Sequence, residues 1–131
     1  MNKTGMDNDN MKFRFKVIAV DVDGTLCKGV CWSKKECMEA IPDKEMIGNV
    51  NSLYDQNNFI VIYTSRRNDL IPETLDWLRR NNVRFHAISN NKMPADVYID
   101  DSAICVADIA KKNIKKNRKY TQISRVEIKH L

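Results

Sequence analysis

At 131 residues, 43% hydrophobic and 30% charged, the chain has the size and balance of one soluble globular domain. No apolar run approaches the roughly 18 residues that span a bilayer, which argues against a membrane-spanning helix and a membrane partner. The net charge of +5 is unevenly placed: residues 111–131 carry eight Lys or Arg against Glu127 alone, so the rest of the chain is slightly acidic.

Residues 1–12 are polar and lack the apolar core of a signal peptide; they read as a flexible leader to a single domain over 13–131, and a cytoplasmic location is expected. Residues 15–20 form an apolar run expected to be a buried strand. Residues 26–42 hold Gly29, Trp32 and Pro42 without a sustained period, and read as a short flap with one turn near 35–40. A helix is expected over 43–54, because Met46, Ile47, Val50 and Leu53 share one face. Residues 59–63 are continuously apolar and β-branched, as in a central parallel strand. Pro72 and Glu73 open a second helix that turns Leu75, Trp77 and Leu78 inward, and Asn81-Asn82 ends it. Strands are expected at 83–88 and 97–99. Ser102 is a reasonable cap for a helix from residue 103, with Ile104, Val106, Ala107, Ile109 and Ala110 apolar and Cys105 buried. The lysine-rich run would be the wet face of that terminal helix, and residues 121–128 a small edge strand. The alternation of strands and helices predicts an α/β fold, a three-layer open parallel sheet of Rossmann-like form.

Three of these strand ends carry polar groups. Asp21-Val22-Asp23-Gly24-Thr25 follows the first, Thr64-Ser65-Arg66-Arg67 the second, and Asp100-Asp101 closes another. In an open parallel sheet such ends meet along one edge, where ligands bind. Clustered carboxylates repel unless a cation or a shared proton offsets them, and an all-oxygen shell suits Mg²⁺. The four cysteines are spaced, at Cys27, Cys31, Cys37 and Cys105, unlike a tight structural zinc site, and read as ordinary thiols. His86 and His130 have no partner at ligand spacing, and His86 reads as a packed residue.

In order, these motifs resemble the haloacid-dehalogenase-like hydrolase superfamily, in particular its small capless phosphatases of capsule and polysaccharide biosynthesis. The resemblance runs over residues 16–110 and implies a Rossmann-like core without a cap domain. It implies a Mg²⁺-dependent phosphomonoesterase acting through an aspartyl-phosphate. Asp21 would be the nucleophile and Asp23 the general acid and base. Thr64 and Lys92 would bind the transferring phosphoryl group, with Ser65, Arg66 and Arg67 as substrate contacts. The metal would lie among Asp21, Asp23 (through its carbonyl), Asp100 and Asp101. The expected substrate is a sugar phosphate or similar small metabolite, and a homo-oligomer is one way to cover a site this open. A polynucleotide-end phosphatase guided by the basic C-terminus, and a non-catalytic phosphate-binding or partner-regulating domain, are the alternatives; nucleic acid is the less expected partner.

Overall fold

The computed structural model describes residues 14–91, 93–100, 103–107 and 120–123. Strand β1 (Val17–Asp21) is followed by helices α1 (Lys34–Glu39) and α2 (Lys44–Asp55), strand β2 (Phe59–Tyr63) and a 3-10 turn (Asn68–Leu70). Helix α3 (Ile71–Arg80) then leads to strands β3 (Ala87–Ser89), β4 (Val97–Asp100), β5 (Ala103–Ala107) and β6 (Tyr120–Ile123). These strands form one sheet in the order β3-β2-β1-β4-β5-β6. The first four are parallel, whereas β5 and β6 are antiparallel additions at one edge.

Register and alternation separate the faces of the sheet. Ile18, Val20, Ile60, Ile62, Val97 and Ile99 share one face and one buried cluster with Met46, Val50 and Leu53 of α2 and with Trp77 and Leu78 of α3. The crossovers from β1 to β2 and from β2 to β3 step the same way, so right-handed connections put both helices on that side. On the other face Ala19, Val61 and Tyr98 are also buried. There the Tyr98 hydroxyl donates to the Met93 carbonyl at 2.8 Å and accepts from the Ala95 N–H at 2.9 Å, drawing the β3–β4 link across the sheet. Among the described residues, the helices cover one face of the sheet; most of the segment in which a terminal helix is expected lies outside them. The chain is a small parallel α/β sheet flanked by helices, Rossmann-like in general form.

Both long helices end by one device. Asn57 and Asn82 adopt φ of 68° and 58°, a left-handed conformation that asparagine tolerates better than most residues. After α3, Asn82 N–H bonds the Arg79 carbonyl and Val83 N–H the Leu78 carbonyl, as in a Schellman motif. Val83 is consumed by that cap, which explains why β3 starts at Ala87 and not at the expected residue 83. Asn58 serves the corresponding end of α2; its buried side chain donates to the Leu53 carbonyl at 2.8 Å and accepts from Lys16 N–H at 3.1 Å. Asn58→Ala should therefore cost about 2 kcal/mol, because the Lys16 amide loses its partner. A denaturant midpoint equal to that of the wild type would refute this.

The expected helix from residue 103 is a strand instead, paired antiparallel with β4 from Asp100↔Ala103 to Val97↔Val106. A short apolar run fits either period, and Ile104 and Val106 are β-branched, which favours the pleated alternative. The remainder of that expected helix, its Ser102 cap and the lysine-rich run lie outside the described residues. The edge strand expected near 121–128 occurs as β6. No helix among the described residues is long and apolar enough to cross a membrane.

Candidate functional site

Strand order reverses direction between β1 and β4, because the chain builds β2 and β3 on one side of β1 and then returns to the other. Their carboxyl ends border the crevice where open α/β sheets bind ligands. Asp21 is the last residue of β1 and Asp100 the last of β4. Beyond Asp21, the Val22 carbonyl accepts from the N–H groups of Thr25, Leu26 and Cys27, and Gly24 takes a φ of 78° to close the turn. Asp23 thereby hangs over the carboxyl end of the sheet.

The carboxyl groups form an electrostatic unit. Burial pushes the Asp21 acid up to about 7, helped by a hydrogen bond with Asp100 and the charges of Asp100 and Asp23. The Val22 N–H, 2.8 Å from Asp21 Oδ1, pulls the other way. Asp21 therefore favours its protonated form below about pH 7, the alternative to a cation beside adjacent acids.

Asp23 has a different neighbour. Arg66 Nη2 donates to its Oδ1 at 2.6 Å and Nε to its Oδ2 at 3.2 Å, a two-pronged clamp. The same guanidinium reaches Thr74 Oγ1 at 2.9 Å and Cys27 Sγ at 3.7 Å, and its side chain is only 2% exposed. Burial opposes the Arg66 charge, but the hydrogen bonds and charge of Asp23 hold it above the usual value. Thr64, also buried, uses its Oγ1 to accept the Arg66 N–H at 3.1 Å, so the end of β2 fixes the backbone that carries the clamp.

Among the expected substrate contacts, Arg66 faces inward, whereas Ser65 and Arg67 are exposed and Arg67 pairs with Asp69 at 3.0 Å. The structure brings together Asp21, Asp23, Asp100, Thr64 and Arg66; Lys92 and Asp101 lie outside the described residues.

The expectation of magnesium among carboxylates requires correction. Among the described residues, the cluster able to hold a metal is Asp23, Cys27 and Cys31, whose ligand atoms lie within 4.8 Å of one another. One carboxylate and two thiols form a donor set suited to zinc rather than to magnesium, which prefers oxygen alone. The reading of Cys27 and Cys31 as ordinary thiols without a ligating role is corrected with it. The local sequence gave little warning, because the flap sets the geometry. Its ends are tied by Lys28 N–H to the Ile41 carbonyl and Asp43 N–H to the Leu26 carbonyl, at 2.9 and 2.8 Å. The Ser33–Glu36 capping box starts α1, and Trp77 Nε1 donates to the Ala40 carbonyl at 2.9 Å.

Arg66 already supplies positive charge beside this cluster. Burial and the nearby Asp23 charge push the Cys27 thiol up to about 12, so it stays protonated near neutrality. Cys27 should therefore resist alkylation at pH 8 while the protein is folded, with modification mapped by mass spectrometry following unfolding. Rapid labelling of the native protein at Cys27 would contradict the buried neutral thiol.

Comparison with known proteins gives a fold likeness. No family model matches the chain. No curated protein matches it either. Among solved structures, it is similar to a conserved protein from Bacteroides thetaiotaomicron, with a TM-score of 0.54 and 22% identity over 66% of this chain and 75% of that one. It is also similar to a chain of the Pnkp1/Rnl/Hen1 complex, with a TM-score of 0.52 and 13% identity over 63% of this chain. A chain of the Pnkp1/Rnl/Hen1 RNA repair complex gives a TM-score of 0.51 and 14% identity over 76% of this chain. This chain spans 31% of the length of each of those two. The haloacid-dehalogenase-like assignment, with its capsule and polysaccharide phosphatases, is accordingly withdrawn: no family model carries it, the similar structures bear other titles, and the metal-capable cluster contains thiols.

Proposed function

We propose that the chain is a polynucleotide-end phosphatase, releasing a terminal phosphate from RNA or DNA. The observation that carries this reading is the placement of Asp21 and Asp23 at the switch point, one beside Asp100 and the other clamped by Arg66. The fold likeness to chains of an RNA repair complex favours a nucleic-acid end over a sugar phosphate. So does the basic charge of residues 111–131.

Asp21 in its ionised form attacks phosphorus, and an oxygen–phosphorus bond forms as the ester bond to the leaving hydroxyl breaks. Asp23 is the general acid of this step and gives a proton to that hydroxyl oxygen as it leaves. Water then attacks the aspartyl-phosphate, Asp23 takes a proton from it, and inorganic phosphate leaves with Asp21 restored. Thr64, the turn after Asp21 and Lys92 are the candidate contacts for the phosphoryl oxygens.

The test measures phosphate release from oligonucleotides phosphorylated at either end, with sugar phosphates as the competing class. Faster release from the oligonucleotides is expected. Turnover confined to sugar phosphates would overturn the polymer assignment, and turnover of neither class would overturn the activity.

A further inference from the structure

At the amino-terminal end of β2, away from the carboxylates, the side chains form a column of stacked planes. The His86 ring lies 4.5 Å from Tyr54 and 4.8 Å from Phe59, with interplanar angles of 16° and 17°. The Arg84 guanidinium extends the column, 4.4 Å from the Tyr54 ring centroid. His86 is fixed in place: its backbone N–H donates to the Ile60 carbonyl at 2.8 Å, and its Nδ1 accepts the Ile60 N–H at 3.0 Å. Three of the planes are thus held by backbone bonds, helix end or ion pair, since Arg84 also pairs with Asp55.

The column is unfinished at Phe59, which is 46% exposed although one of its faces lies against His86. Phe15, 75% exposed, stands nearby, since its N–H bonds the Asn57 carbonyl while Phe59 N–H bonds the Lys16 carbonyl. Basic side chains lie near its open end, where Lys16 and Arg14 precede the strand that pairs with Phe59, whereas Arg84 at the far end of the column is paired with Asp55. A rigid aromatic plane flanked by cations is what a sequence-tolerant single-strand site requires, because every base has a face to stack and every nucleotide a phosphate to neutralise.

We propose that the outer face of Phe59 is a docking platform for a base of single-stranded nucleic acid, adding one more plane to the Arg84–Tyr54–His86–Phe59 column. The choice of partner rests on the polynucleotide reading of the catalytic edge. The five residues of β2 put the platform about 16 Å from that edge, a distance an extended strand of a few nucleotides covers. The platform would hold the body of the strand while its end reached Asp21.

The test uses the full chain carrying Phe59→Trp, with oligouridylate about ten nucleotides long and lacking any terminal phosphate as the probe. Its indole fluorescence, read as the difference from the wild type with Trp32 and Trp77, should be quenched by oligouridylate and not by an abasic strand of equal length. Phe59→Ala should weaken binding of labelled oligouridylate by about tenfold at fixed salt while its melting curve still shows a folded protein. Equal binding by Phe59→Ala would overturn the platform. So would equal quenching by the abasic strand, which would reduce the patch to charge, or quenching on self-association alone, which would make it a contact between copies. Because the probe has no end phosphate, binding is read apart from turnover. Normal quenching without phosphate release from phosphorylated ends removes the catalytic reading only, and release without quenching removes the platform only.

Discussion

Asp21→Asn should lower phosphate release from oligonucleotide ends by at least roughly a thousandfold while leaving the fold intact. An amide nitrogen or oxygen does not replace the carboxylate as a nucleophile toward phosphorus, so the bond-forming step is lost. The same change should not destabilise the protein, because the introduced amide can still hydrogen-bond Asp100 and no longer adds charge to it. A pH series sharpens the comparison. Asp21 titrates at 3.8 when unfolded and at about 7 when folded, so the native state keeps a proton that the unfolded state releases. Stability from this group is therefore full below 3.8 and is lost as pH rises to about 7. Melting temperatures of wild type and variant across that window should show the wild type losing ground as pH rises. A variant that retains most of its turnover would sink the covalent mechanism, whatever its stability.

The second large effect is on stability. Arg66→Met should destabilise the fold by on the order of 3 kcal/mol, read as a lower denaturant midpoint with an unchanged slope. The cost comes from what is left behind: Asp23, with a side chain 16% exposed, would lose both guanidinium bonds, and Thr74 its donor. Arg66→Lys should recover part of this, since an ammonium restores charge but not the two-pronged geometry. Arg66→Met unfolding at the wild-type midpoint would show that water replaces the guanidinium at no cost, and the clamp would be a surface pair in effect.

The parallel half of the fold was legible because its strands are short, apolar and β-branched and its helices have one clear apolar face. Residues 59–63 match the observed β2. The prediction failed where a short apolar stretch serves two periods, as at residues 103–107, and where a cap consumes a residue that looks strand-like, as at Val83. The meeting of Asp21 with Asp100 was legible from strand ends alone. The inward turn of Arg66 was not, because Arg66 and Arg67 are chemically identical neighbours and only burial against Thr74 and Cys27 distinguishes them. The proximity of Cys27 and Cys31 to Asp23 likewise depends on how the flap folds back. No residue spacing encodes that return.

The place of β1 in the sheet has a consequence for synthesis. Ile18 pairs with Ile60 on one side and with Val97 on the other, so this strand emerges long before either neighbour. At roughly 5–20 residues per second, its second edge waits on the order of 4–16 s for β4 to be made. For that time a continuous apolar segment has open hydrogen-bonding edges, which are the features chaperones hold and aggregates recruit. Slowing elongation between β2 and β4 should therefore lower the soluble yield of this chain more than an equal delay placed before β1.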